Sequence, residues 1–548
     1  MISIYVFLSY YLTVTQAFIT VSHSHTPHTR HHTSSTLRAT KSVDCLVVGS
    51  GVSGSSLAFN LVKHHHLDNT LLVESNPVVG GNLISKSNEQ GFVWEEGPNS
   101  FQPTPYICRI VHELGLSDQL VLADGSLPRF VYWQGGGAGD KLANLHALPT
   151  NLPGDLLDFN LLTWPGKIRA GLGAMGLIAP PPSDGEESIR DFVTRHLGAE
   201  TFERVIDPFV SGVYAGDPDQ LAMRAALKKI HRLEGLGEFG PGLVSGAIAR
   251  FQEIAQEKKD NPPDPAWPTY KGGQLGSFQK GLQTLPNAVE QFLGQDRVWK
   301  NTAVESITKK DGVFVVTMQQ NGKKVQVEAK SVCVTSPTRV TAKIAAELIP
   351  AAARLSEVYS PPVASVTIAY PKEAFKELPG GTPEKPLRGF GHLLPRSMKV
   401  RSLGTIWSSS LFPNRTPPGW ELLLTYIGGA RDTAVGDMTE DEIYQQVEAD
   451  VQQILLKPNY QGPIQRIGCR VWKTAIPQYR KGHLEILEAL EKDEAQCPGL
   501  YLGGNYRTGV AFGDCIQFGW TEAERVAQFL RSSSVQTNET DVKKTVKA

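Results

Sequence analysis

The sequence Val43-Asp-Cys-Leu-Val-Val-Gly49-Ser-Gly51-Val-Ser-Gly54 is the stretch that decides the fold. Its residues from Cys45 to Val48 are apolar without alternation, which predicts a strand buried on both faces of a parallel sheet. Three glycines follow at the spacing of a dinucleotide-binding turn. The first permits the tight turn, the second lets a pyrophosphate approach the backbone, and the third lets the next helix pack closely. The stretch therefore predicts a βα unit whose helix N-terminus binds a dinucleotide.

The residues after this unit indicate which dinucleotide is bound. Leu71-Leu-Val-Glu74-Ser75 predicts a second strand, and Glu74 stands about 20 residues after the glycines, where an acid accepts hydrogen bonds from ribose hydroxyls. The sequence continues with Gly80-Gly81-Asn82, where glycine allows the backbone to approach ribose and pyrophosphate. Long FAD-binding chains contain such a second glycine pair and short NAD domains usually lack it. The predicted cofactor is FAD, although the first triplet alone would also fit an ordinary glycine-rich turn.

Length and composition limit the class of protein. The chain has 548 residues, enough for two or three domains with a large core, and its 41% apolar and 20% charged residues are typical of a globular protein. A formal net charge of -1 gives no global field that would recruit nucleic acid, so no nucleic-acid partner is expected. The 6 cysteines are scattered without a CxxC pair. They predict core thiols, and no metal site is expected.

The first 42 residues differ from the rest of the chain. Met1 to Ala17 is apolar and Thr15-Gln16-Ala17 fits a small-residue cleavage site, whereas residues 19–43 are rich in Ser, Thr and His and contain no acid. This pattern predicts a signal peptide joined to a transit peptide, and it resembles the bipartite plastid presequence of algae with complex plastids. A mitochondrial presequence and a membrane anchor are the alternatives. After this leader no apolar run approaches ~18 residues, so no membrane-spanning helix is predicted.

The middle of the chain reads as helical and the second half as rich in strands. Residues 186–260 contain amphipathic helices, residues 258–273 predict an exposed loop, and the polar residues 533–548 predict a disordered tail. Strands are predicted at 315–317, 325–327, 331–335, 363–370, 403–407 and 421–426, and a helix at 440–456.

The chain ends with a second glycine-rich turn from strand to helix. Gly499-Leu-Tyr-Leu-Gly503 predicts a strand, which leads through Gly504 and Gly509-Val-Ala-Phe-Gly513 into a helix from Asp514 to about Phe529. We predict that the start of this helix lies beside the flavin ring, where its dipole favours the negative charge that gathers on reduction. An ordinary βα unit is the alternative for this segment by itself.

These segments, together with blocks between them, identify a family. Two blocks are much more specific than a glycine triplet: Pro208-Phe-Val-Ser-Gly-Val-Tyr-Ala-Gly-Asp-Pro218 and Val471-Trp-Lys-Thr-Ala-Ile-Pro-Gln-Tyr479. From about residue 43 to 530 the chain resembles the protoporphyrinogen oxidases, within the amine-oxidase-like flavoproteins, and is most similar to their plastid branch. Further matching blocks are Glu95-Glu-Gly-Pro-Asn-Ser100, Pro128-Arg-Phe-Val-Tyr-Trp133, Gly389-Phe-Gly-His-Leu-Leu-Pro395 and Leu403-Gly-Thr-Ile-Trp-Ser-Ser-Ser-Leu-Phe-Pro413.

The resemblance implies an α/β fold of three parts. These are a Rossmann-like FAD-binding domain of the amine-oxidase and PHBH type assembled from discontinuous segments, a substrate domain with a mixed sheet, and a helical domain that associates peripherally with a membrane. The implied boundaries are a presequence at 1–42, the FAD domain at 43–125, 270–335 and 465–532, the substrate domain at 126–150 and 336–464, the helical domain at 151–269 and the tail at 533–548.

The resemblance also implies the activity, which is oxidation of protoporphyrinogen IX by oxygen to protoporphyrin IX with release of hydrogen peroxide, in haem and chlorophyll biosynthesis. FAD would be held without a covalent bond, and a homodimer is compatible with the resemblance. The residues implied to surround FAD are Gly49, Ser50, Gly51, Val52, Ser53, Gly54, Glu74, Ser75, Gly81, Asn82, Gly97, Pro98, Asn99, Ser100, Val304, Trp472, Gly504, Val510, Ala511 and Phe512.

Three residues are implied to contact the substrate. Arg129 would meet a propionate, since a guanidinium can form a bidentate pair with a carboxylate, and Leu393 and Trp407 fall in segments that line the pocket. The alternatives are a solvent-facing arginine on a strand and two plain core residues. No acid–base catalyst is identified, because the flavin carries the difficult step and the protein supplies orientation and a dry pocket.

Two other functions remain open from the sequence. The first is another flavin oxidase of the superfamily, such as a coproporphyrinogen-oxidising relative, a polyene desaturase or an amine oxidase. The second is a GDP-dissociation inhibitor, which shares the FAD-type fold but does no redox work. The cofactor block from Gly503 to Phe512 argues against the second.

Overall fold

The structure is a computed structural model that describes residues 41–135, 142–149, 155–182, 185–236 and 242–545, with side chains up to residue 533. The described residues form two compact units. The first unit comprises Ile84–Leu282 and Ser360–His483, and the second comprises 41–83, Gln283–Tyr359 and 484–545 within those limits. The predicted presequence lies outside the described residues, except that its last two residues begin the first strand.

The strands are numbered along the chain. They are β1 (Lys41–Val48), β2 (Thr70–Val73), β3 (Ser85–Ser87), β4 (Val93–Glu95), β5 (Leu120–Leu122), β6 (Arg129–Tyr132), β7 (Leu145–Ala147), β8 (Gly276–Phe278), β9 (Val298–Trp299), β10 (Thr302–Lys310), β11 (Val313–Gln320), β12 (Lys323–Val334), β13 (Val363–Pro371), β14 (Gly391–Leu393), β15 (Ser402–Trp407), β16 (Trp420–Gly428), β17 (Gln465–Trp472) and β18 (Leu500–Leu502).

The α-helices alternate with strands along the chain, and a run of them lies between β7 and β8. They are Val52–Lys63, Pro105–Glu113, Asp155–Asp158, Trp164–Ala174, Ile189–Leu197, Ala199–Thr201, Asp207–Tyr214, Met223–Ala226, Lys228–His231, Leu233–Leu236, Leu243–Asp260, Thr284–Leu293, Thr338–Ala345, Ser408–Leu411, Glu440–Ile454, His483–Glu494 and Phe512–Thr545.

The second unit is built on a seven-stranded mixed sheet. The strand order is β10-β11-β12-β1-β2-β9, and β18 also pairs with β12. β1 runs parallel to both β2 and β12, which explains why Cys45 to Val48 are all buried and why their sequence does not alternate. The carboxyl ends of β1, β12 and β18 therefore meet at one edge of the sheet, where the two glycine-rich turns begin.

The first unit contains the other seven-stranded sheet, in the order β17-β13-β16-β15-β14-β6-β7. Its neighbouring strands are antiparallel except for β14 and β6, which run parallel, so this sheet is mixed as predicted. Every residue of β13 and β15 is buried. The long central strands thus fix the positions of the short strands β6 and β14, which carry two of the predicted substrate residues.

The helices of the first unit follow the predicted pattern in most places. Ser188 and Asp191 form a reciprocal capping box that begins the helix Ile189–Leu197. Within the predicted helical region 186–260, the helices Met223–Ala226 and Lys228–His231 are separated because Leu227 leaves helical geometry with φ -119 and ψ 40. Among the helices that the structure describes, none combines the length and apolar character needed to cross a bilayer.

The last helix is longer than the sequence predicts. It runs as Phe512–Thr545, so residues 533–545 of the expected disordered tail continue a helix. No glycine or proline occurs after Gly519, and the backbone therefore meets no residue that would end the helix. Low apolar content disfavours packing but does not by itself stop a helix, and the disorder expected of residues 533–548 stays a prediction.

Candidate functional site

The glycine turn after β1 has the geometry that its motif requires. Gly49 has φ +98, in the region that favours glycine, and a Cβ on Gly54 would overlap the carbonyl oxygen of Gly49. Gly51 differs, because a Cβ built there would meet no described atom within 4 Å. The turn is closed at its first and third glycines and open at the second. This is the cradle that a pyrophosphate needs.

Thr335, just after β12, braces this turn and was missed from the sequence. Its Oγ1 donates to the carbonyl oxygens of Val48 and Gly49, at 2.9 and 3.1 Å, and lies 2.6 Å from where a Cβ on Gly54 would be. The available signal was topological, since parallel strands bring their carboxyl ends to the same edge. A residue ending the predicted strand 331–335 was therefore a candidate neighbour of the glycines.

Glu74 lies directly after β2, as predicted, and its carboxylate is 5% exposed. One oxygen accepts hydrogen bonds from the backbone N–H and the hydroxyl of Ser50, at 3.0 and 2.6 Å. The other accepts from Ser75 Oγ at 3.2 Å and from the backbone and side-chain N–H groups of Asn76 at 2.9 and 2.7 Å. Glu74 thus holds the glycine turn in place, and its contact with a ribose stays a prediction.

The second glycine pair lies next to the first turn. Gly80 and Gly81 have φ +118 and +59, and a Cβ on Gly81 would stand 3.0 Å from the Cα of Gly51. Asn82 follows and is partly exposed. Val304 on β10 is also partly exposed and packs on the core of the same unit.

The C-terminal block is held by a buried ion pair. Arg507 makes a bidentate pair with Glu494, with both N–O distances 2.7 Å, and Glu494 also accepts the N–H of Leu502 at 2.7 Å. These bonds fix the turn that contains Gly504, which has φ +123. The remaining predicted residues, Val510, Ala511 and Phe512, are buried at the start of the last helix.

The first unit contains the other predicted cofactor residues. Gly97, Pro98, Asn99 and Ser100 are buried, and Asn99 Nδ2 and Ser100 Oγ have no hydrogen-bond partner within the described part of the chain. Buried polar groups in folded proteins are almost always hydrogen-bonded. Two unsatisfied groups in a motif assigned to cofactor binding therefore fit a polar ligand such as FAD.

The structure brings Trp472 to this loop. Trp472, at the end of β17, donates from Nε1 to the carbonyl oxygen of Glu96 at 2.7 Å, and Tyr426 donates its hydroxyl hydrogen to the carbonyl of Gly97 at 2.9 Å. The guanidinium of Arg470 lies 4.6 Å from the centroid of the Trp472 ring and pairs with Glu96 at 3.2 Å. The loop is thus fixed from its first residues, although Trp472 and Glu96 are far apart in sequence.

Arg129 lies on β6 and is partly buried. Its Nη2 donates to the carbonyl oxygen of Gly273 at 3.1 Å, and its guanidinium lies 5.6 Å from the centroid of the Phe390 ring. These contacts argue against a solvent-facing arginine. Leu393 is on the parallel neighbour β14, where Gly391 pairs with Arg129, and it is also partly exposed.

Trp407 does not share that environment. It is 0% exposed, its ring lies 5.4 Å from that of Phe130, and its Nε1 donates to His392 Nδ1 at 3.3 Å. A side chain without accessible surface offers nothing for a ligand to contact in this conformation. For Trp407 the structure therefore favours the core interpretation over the substrate-binding one.

Sequence reasoning also missed a buried acid, Glu95, at the end of β4. Its carboxylate accepts the N–H of Leu282 at 2.8 Å and the hydroxyl of Ser85 at 2.7 Å. Burial raises the pKa of Glu95 to about 7, against the opposing effect of the Arg415 guanidinium. Arg415 itself is 3% exposed and donates to Ser277 Oγ and to the carbonyl of Phe278, at 2.8 and 3.2 Å. The only sequence signal for Glu95 was that two glutamates, Glu95 and Glu96, stand next to each other before Gly97.

The described residues hold no cluster of three His, Cys, Asp or Glu side chains suited to a metal ion. The second unit has an open glycine cradle, and the first unit has an unsatisfied amide and hydroxyl and a partly buried arginine. All of these suit an anionic cofactor and a carboxylate-bearing substrate.

Comparison with known proteins identifies the family. A family model described as flavin containing amine oxidoreductase matches residues 52–527. The chain belongs to the flavin-containing amine oxidoreductases. This membership confirms the predicted α/β fold with mixed sheets and the predicted FAD cofactor, which the open glycine cradle fits.

Within the flavin-containing amine oxidoreductases, the resemblance to the plastid protoporphyrinogen oxidases is also confirmed. The chain is 45% identical to chloroplastic protoporphyrinogen oxidase of Oryza sativa subsp. japonica, over 89% of each chain. It is 43% identical to chloroplastic protoporphyrinogen oxidase 1 of Arabidopsis thaliana, over 90% of this chain and 89% of the relative. A crystal structure from Exiguobacterium sp. 255-15 matches with a TM-score of 0.68 at 21% identity, covering 89% of this chain and 99% of that one, and supports the fold.

Proposed function

We propose that this chain oxidises protoporphyrinogen IX to protoporphyrin IX with oxygen and releases hydrogen peroxide, in the haem and chlorophyll biosynthesis of the plastid. The observation that carries the proposal is the 45% identity with a chloroplastic protoporphyrinogen oxidase over 89% of both chains. The relatives at 42–45% identity are chloroplastic enzymes, whereas a mitochondrial relative is only 29% identical.

The cofactor would be held by the two sets of residues described above. FAD, when bound, supplies a two-electron acceptor for hydride, with oxygen as the final acceptor. In the second unit, the open backbone at Gly51 and the N-terminus of Val52–Lys63 would bind the pyrophosphate, and Glu74 would orient the first turn and reach the ribose. In the first unit, Asn99 Nδ2 would donate, and Ser100 Oγ would donate or accept, the hydrogen bonds that they lack in the described chain.

The substrate is a large apolar macrocycle with two propionates. Leu393 would supply apolar contact, from which most of the affinity should come. Arg129 would fix the orientation of the substrate by binding a propionate, because its guanidinium is already partly desolvated on β6 and oriented by the carbonyl of Gly273. Trp407 would support this sheet from the core and would not touch the substrate.

Peripheral membrane attachment is part of the proposal. An exposed apolar surface occurs on the helices Trp164–Ala174 and Leu243–Asp260 and on the residues after the first of them. The end of the first helix lies close to the start of the second, because a Cβ on Gly242 would stand 2.7 Å from the carbonyl of Met175. An apolar surface on helices too short to span fits association in the plane of the membrane. This apolar helix surface consists of Trp164, Ile168, Met175, Leu177, Ile178, Ile248 and Phe251.

A direct assay tests the activity. Purified holoenzyme should generate porphyrin fluorescence from protoporphyrinogen IX while oxygen is consumed in parallel. Coproporphyrinogen III serves as the competing substrate, since it carries four carboxylates where protoporphyrinogen IX carries two. A higher kcat/KM for coproporphyrinogen III would assign the chain to the coproporphyrinogen-oxidising alternative, and no turnover of either would reject tetrapyrrole oxidation.

A further inference from the structure

The two most specific sequence blocks, of which only Trp472 belongs to the site described above, lie against each other in the first unit. Gln478 Nε2 donates to the carbonyl oxygen of Tyr214 at 2.9 Å, and Ala222 N–H donates to the carbonyl of Tyr479 at 2.8 Å. Both blocks therefore converge on the C-terminal end of the helix Asp207–Tyr214.

This helix has unusual backbone at both ends. A π-helical turn, Phe202–Ile206, precedes it, and Ala215 ends it in the left-handed region with φ 48. π-Helical turns and left-handed residues other than glycine are uncommon, and they persist where the surroundings fix them, often at functional sites. Here the N–H of Ala430 donates to the carbonyl of Ala215 at 2.7 Å, and a Cβ on Gly429 would stand 2.6 Å from that oxygen.

Arg431 ties together both ends of the same segment. Its Nη1 lies 2.6 Å from Asp207 Oδ1, and its Nη2 lies 2.9 Å from Asp217 Oδ1 and 3.1 Å from Asp219 Oδ2. Asp207 begins the helix, whereas Asp217 and Asp219 follow its left-handed end. One guanidinium, 22% exposed, thus closes the segment 207–219 into a loop fixed on the residues after β16. Arg190 also pairs with Asp219, at 3.1 Å through Nη2.

The segment that Arg431 holds is packed on a predicted substrate residue. A Cβ on Gly212 would stand 2.5 Å from Cδ2 of Leu393, and a Cβ on Gly404 would stand 3.3 Å from the same atom. Leu393 is therefore placed between a helix and a strand that both carry glycine at the contact. Any shift of the helix Asp207–Tyr214 changes the space available to the Leu393 side chain.

We propose that Arg431 is a positioning residue for substrate binding: it locks the segment 207–219 so that Gly212 sets the place of Leu393. The inference rests on the proposed function, because Leu393 is assigned to the substrate through it. Arg431 acts on affinity through Leu393 and takes no part in the redox step. Its loss should therefore raise KM far more than it lowers kcat.

The test compares Arg431→Met with Arg401→Met in the holoenzyme. Arg401 makes a bidentate pair with Asp432, the neighbour of Arg431, with N–O distances of 2.8 and 3.1 Å. Arg401→Met therefore removes a comparable ion pair but does not release the segment 207–219. We expect Arg431→Met to raise KM for protoporphyrinogen IX about 10-fold, or ~1.4 kcal/mol of binding free energy, with kcat reduced less than ~3-fold and flavin content unchanged. Arg401→Met should leave KM within ~2-fold.

Two further measurements keep the inference testable. Asp217→Asn, which removes one of the three acidic partners, should give an intermediate KM and replaces Arg431→Met if that variant does not fold. Titration with protoporphyrin IX should show the same loss of affinity independently of turnover. A KM within ~2-fold of wild type for Arg431→Met, or equal increases for both arginine variants, would overturn the inference. Failure of wild type to turn over protoporphyrinogen IX, with porphyrin affinity still dependent on Arg431, would reject the proposed activity alone.

Discussion

Gly81 lies against Gly51, so that a Cβ on Gly81 would stand 3.0 Å from the Cα of Gly51. Gly81 also has φ +59, which few other residues adopt. The two glycine motifs of the second unit thus form one surface, and a side chain on either would change it. Among the glycines of these two motifs, only Gly51 combines open space around its missing Cβ with a backbone, φ -63 and ψ -179, that any residue can adopt.

Gly51→Val should abolish flavin retention without unfolding the protein. A Cβ at this position meets no described atom within 4 Å, so the added side chain should fill space that a pyrophosphate would occupy. Flavin absorbance per protein after gel filtration, together with a thermal melt, measures both effects. Gly54→Ala is the contrasting variant, because its Cβ would overlap the carbonyl oxygen of Gly49 and the fold itself should suffer. Full flavin content in Gly51→Val would contradict the cradle.

The FAD should be bound tightly but without a covalent link. No His or Cys of the sequence stands at a position suited to flavin attachment, and the predicted contacts are backbone, hydroxyl and amide groups. Acid precipitation should therefore release all the flavin into the supernatant. Yellow colour that stays with the pellet would refute the non-covalent prediction.

Arg129→Leu should raise KM for protoporphyrinogen IX while flavin content stays at the wild-type level. A hydrogen-bonded ion pair with a partly desolvated carboxylate contributes roughly 1.5–3 kcal/mol, so binding should weaken on the order of 10-fold to 100-fold, with a smaller loss in kcat. Arg129→Lys should recover part of the affinity, since an ammonium lacks the planar fork. Steady-state kinetics decide the matter, and an unchanged KM with full flavin would make Arg129 a structural residue only.

Glu95→Gln should remove a pH dependence of stability. The pKa of about 7 in the folded protein lies above the 4.5 of an unperturbed glutamate, so the folded protein binds this proton more tightly than the unfolded chain. Stability from this group is therefore lost as pH rises from 4.5 to about 7, by about 3 kcal/mol at ~1.4 kcal/mol per pKa unit. The amide can accept the N–H of Leu282 through its oxygen and donate an N–H to Ser85 Oγ, and it does not titrate.

Urea unfolding of wild type and Glu95→Gln at a series of pH values measures this effect. All other titrating groups are common to the two proteins and cancel in the difference. Between pH 4.5 and 7, the free energy of unfolding of wild type should fall relative to that of Glu95→Gln, and above pH 7 the difference should stay constant. A constant difference over that range would show that folding does not raise the pKa of Glu95.

Replacing the apolar helix surface should weaken membrane binding. Ile168 and Leu177 are 59% and 67% exposed, so Ile168→Glu and Leu177→Glu cost little folding stability but place charge where lipid contact is expected. Val78→Glu is a matched control, since Val78 is 56% exposed in the other unit. Co-sedimentation with liposomes should fall for the first two variants only. Wild-type protein that resists carbonate extraction would argue against a peripheral mode.

The sequence by itself predicted the elements whose evidence is local. An unbroken apolar run, three glycines and an acid at fixed spacing predicted β1, its turn, the next helix and the place of Glu74, because each glycine is required by backbone geometry within a few residues. The activity was implied by the resemblance of the family blocks, which can also be read directly along the chain. The helical continuation of residues 533–545 was missed because composition reports burial better than it reports backbone conformation.

Only the tertiary structure decided which distant residues act together. Thr335 braces Gly49, Glu96 receives Trp472, and Trp407 turned out to lie in the core, because strand pairing and packing join positions that sequence spacing leaves unrelated. The same holds for charge: Arg431 contacts Asp207 and Asp217 from more than 200 residues away, and burial raises the pKa of Glu95 against the opposing effect of Arg415. Local sequence determines backbone conformation, whereas burial and long-range contacts exist only once the chain has folded.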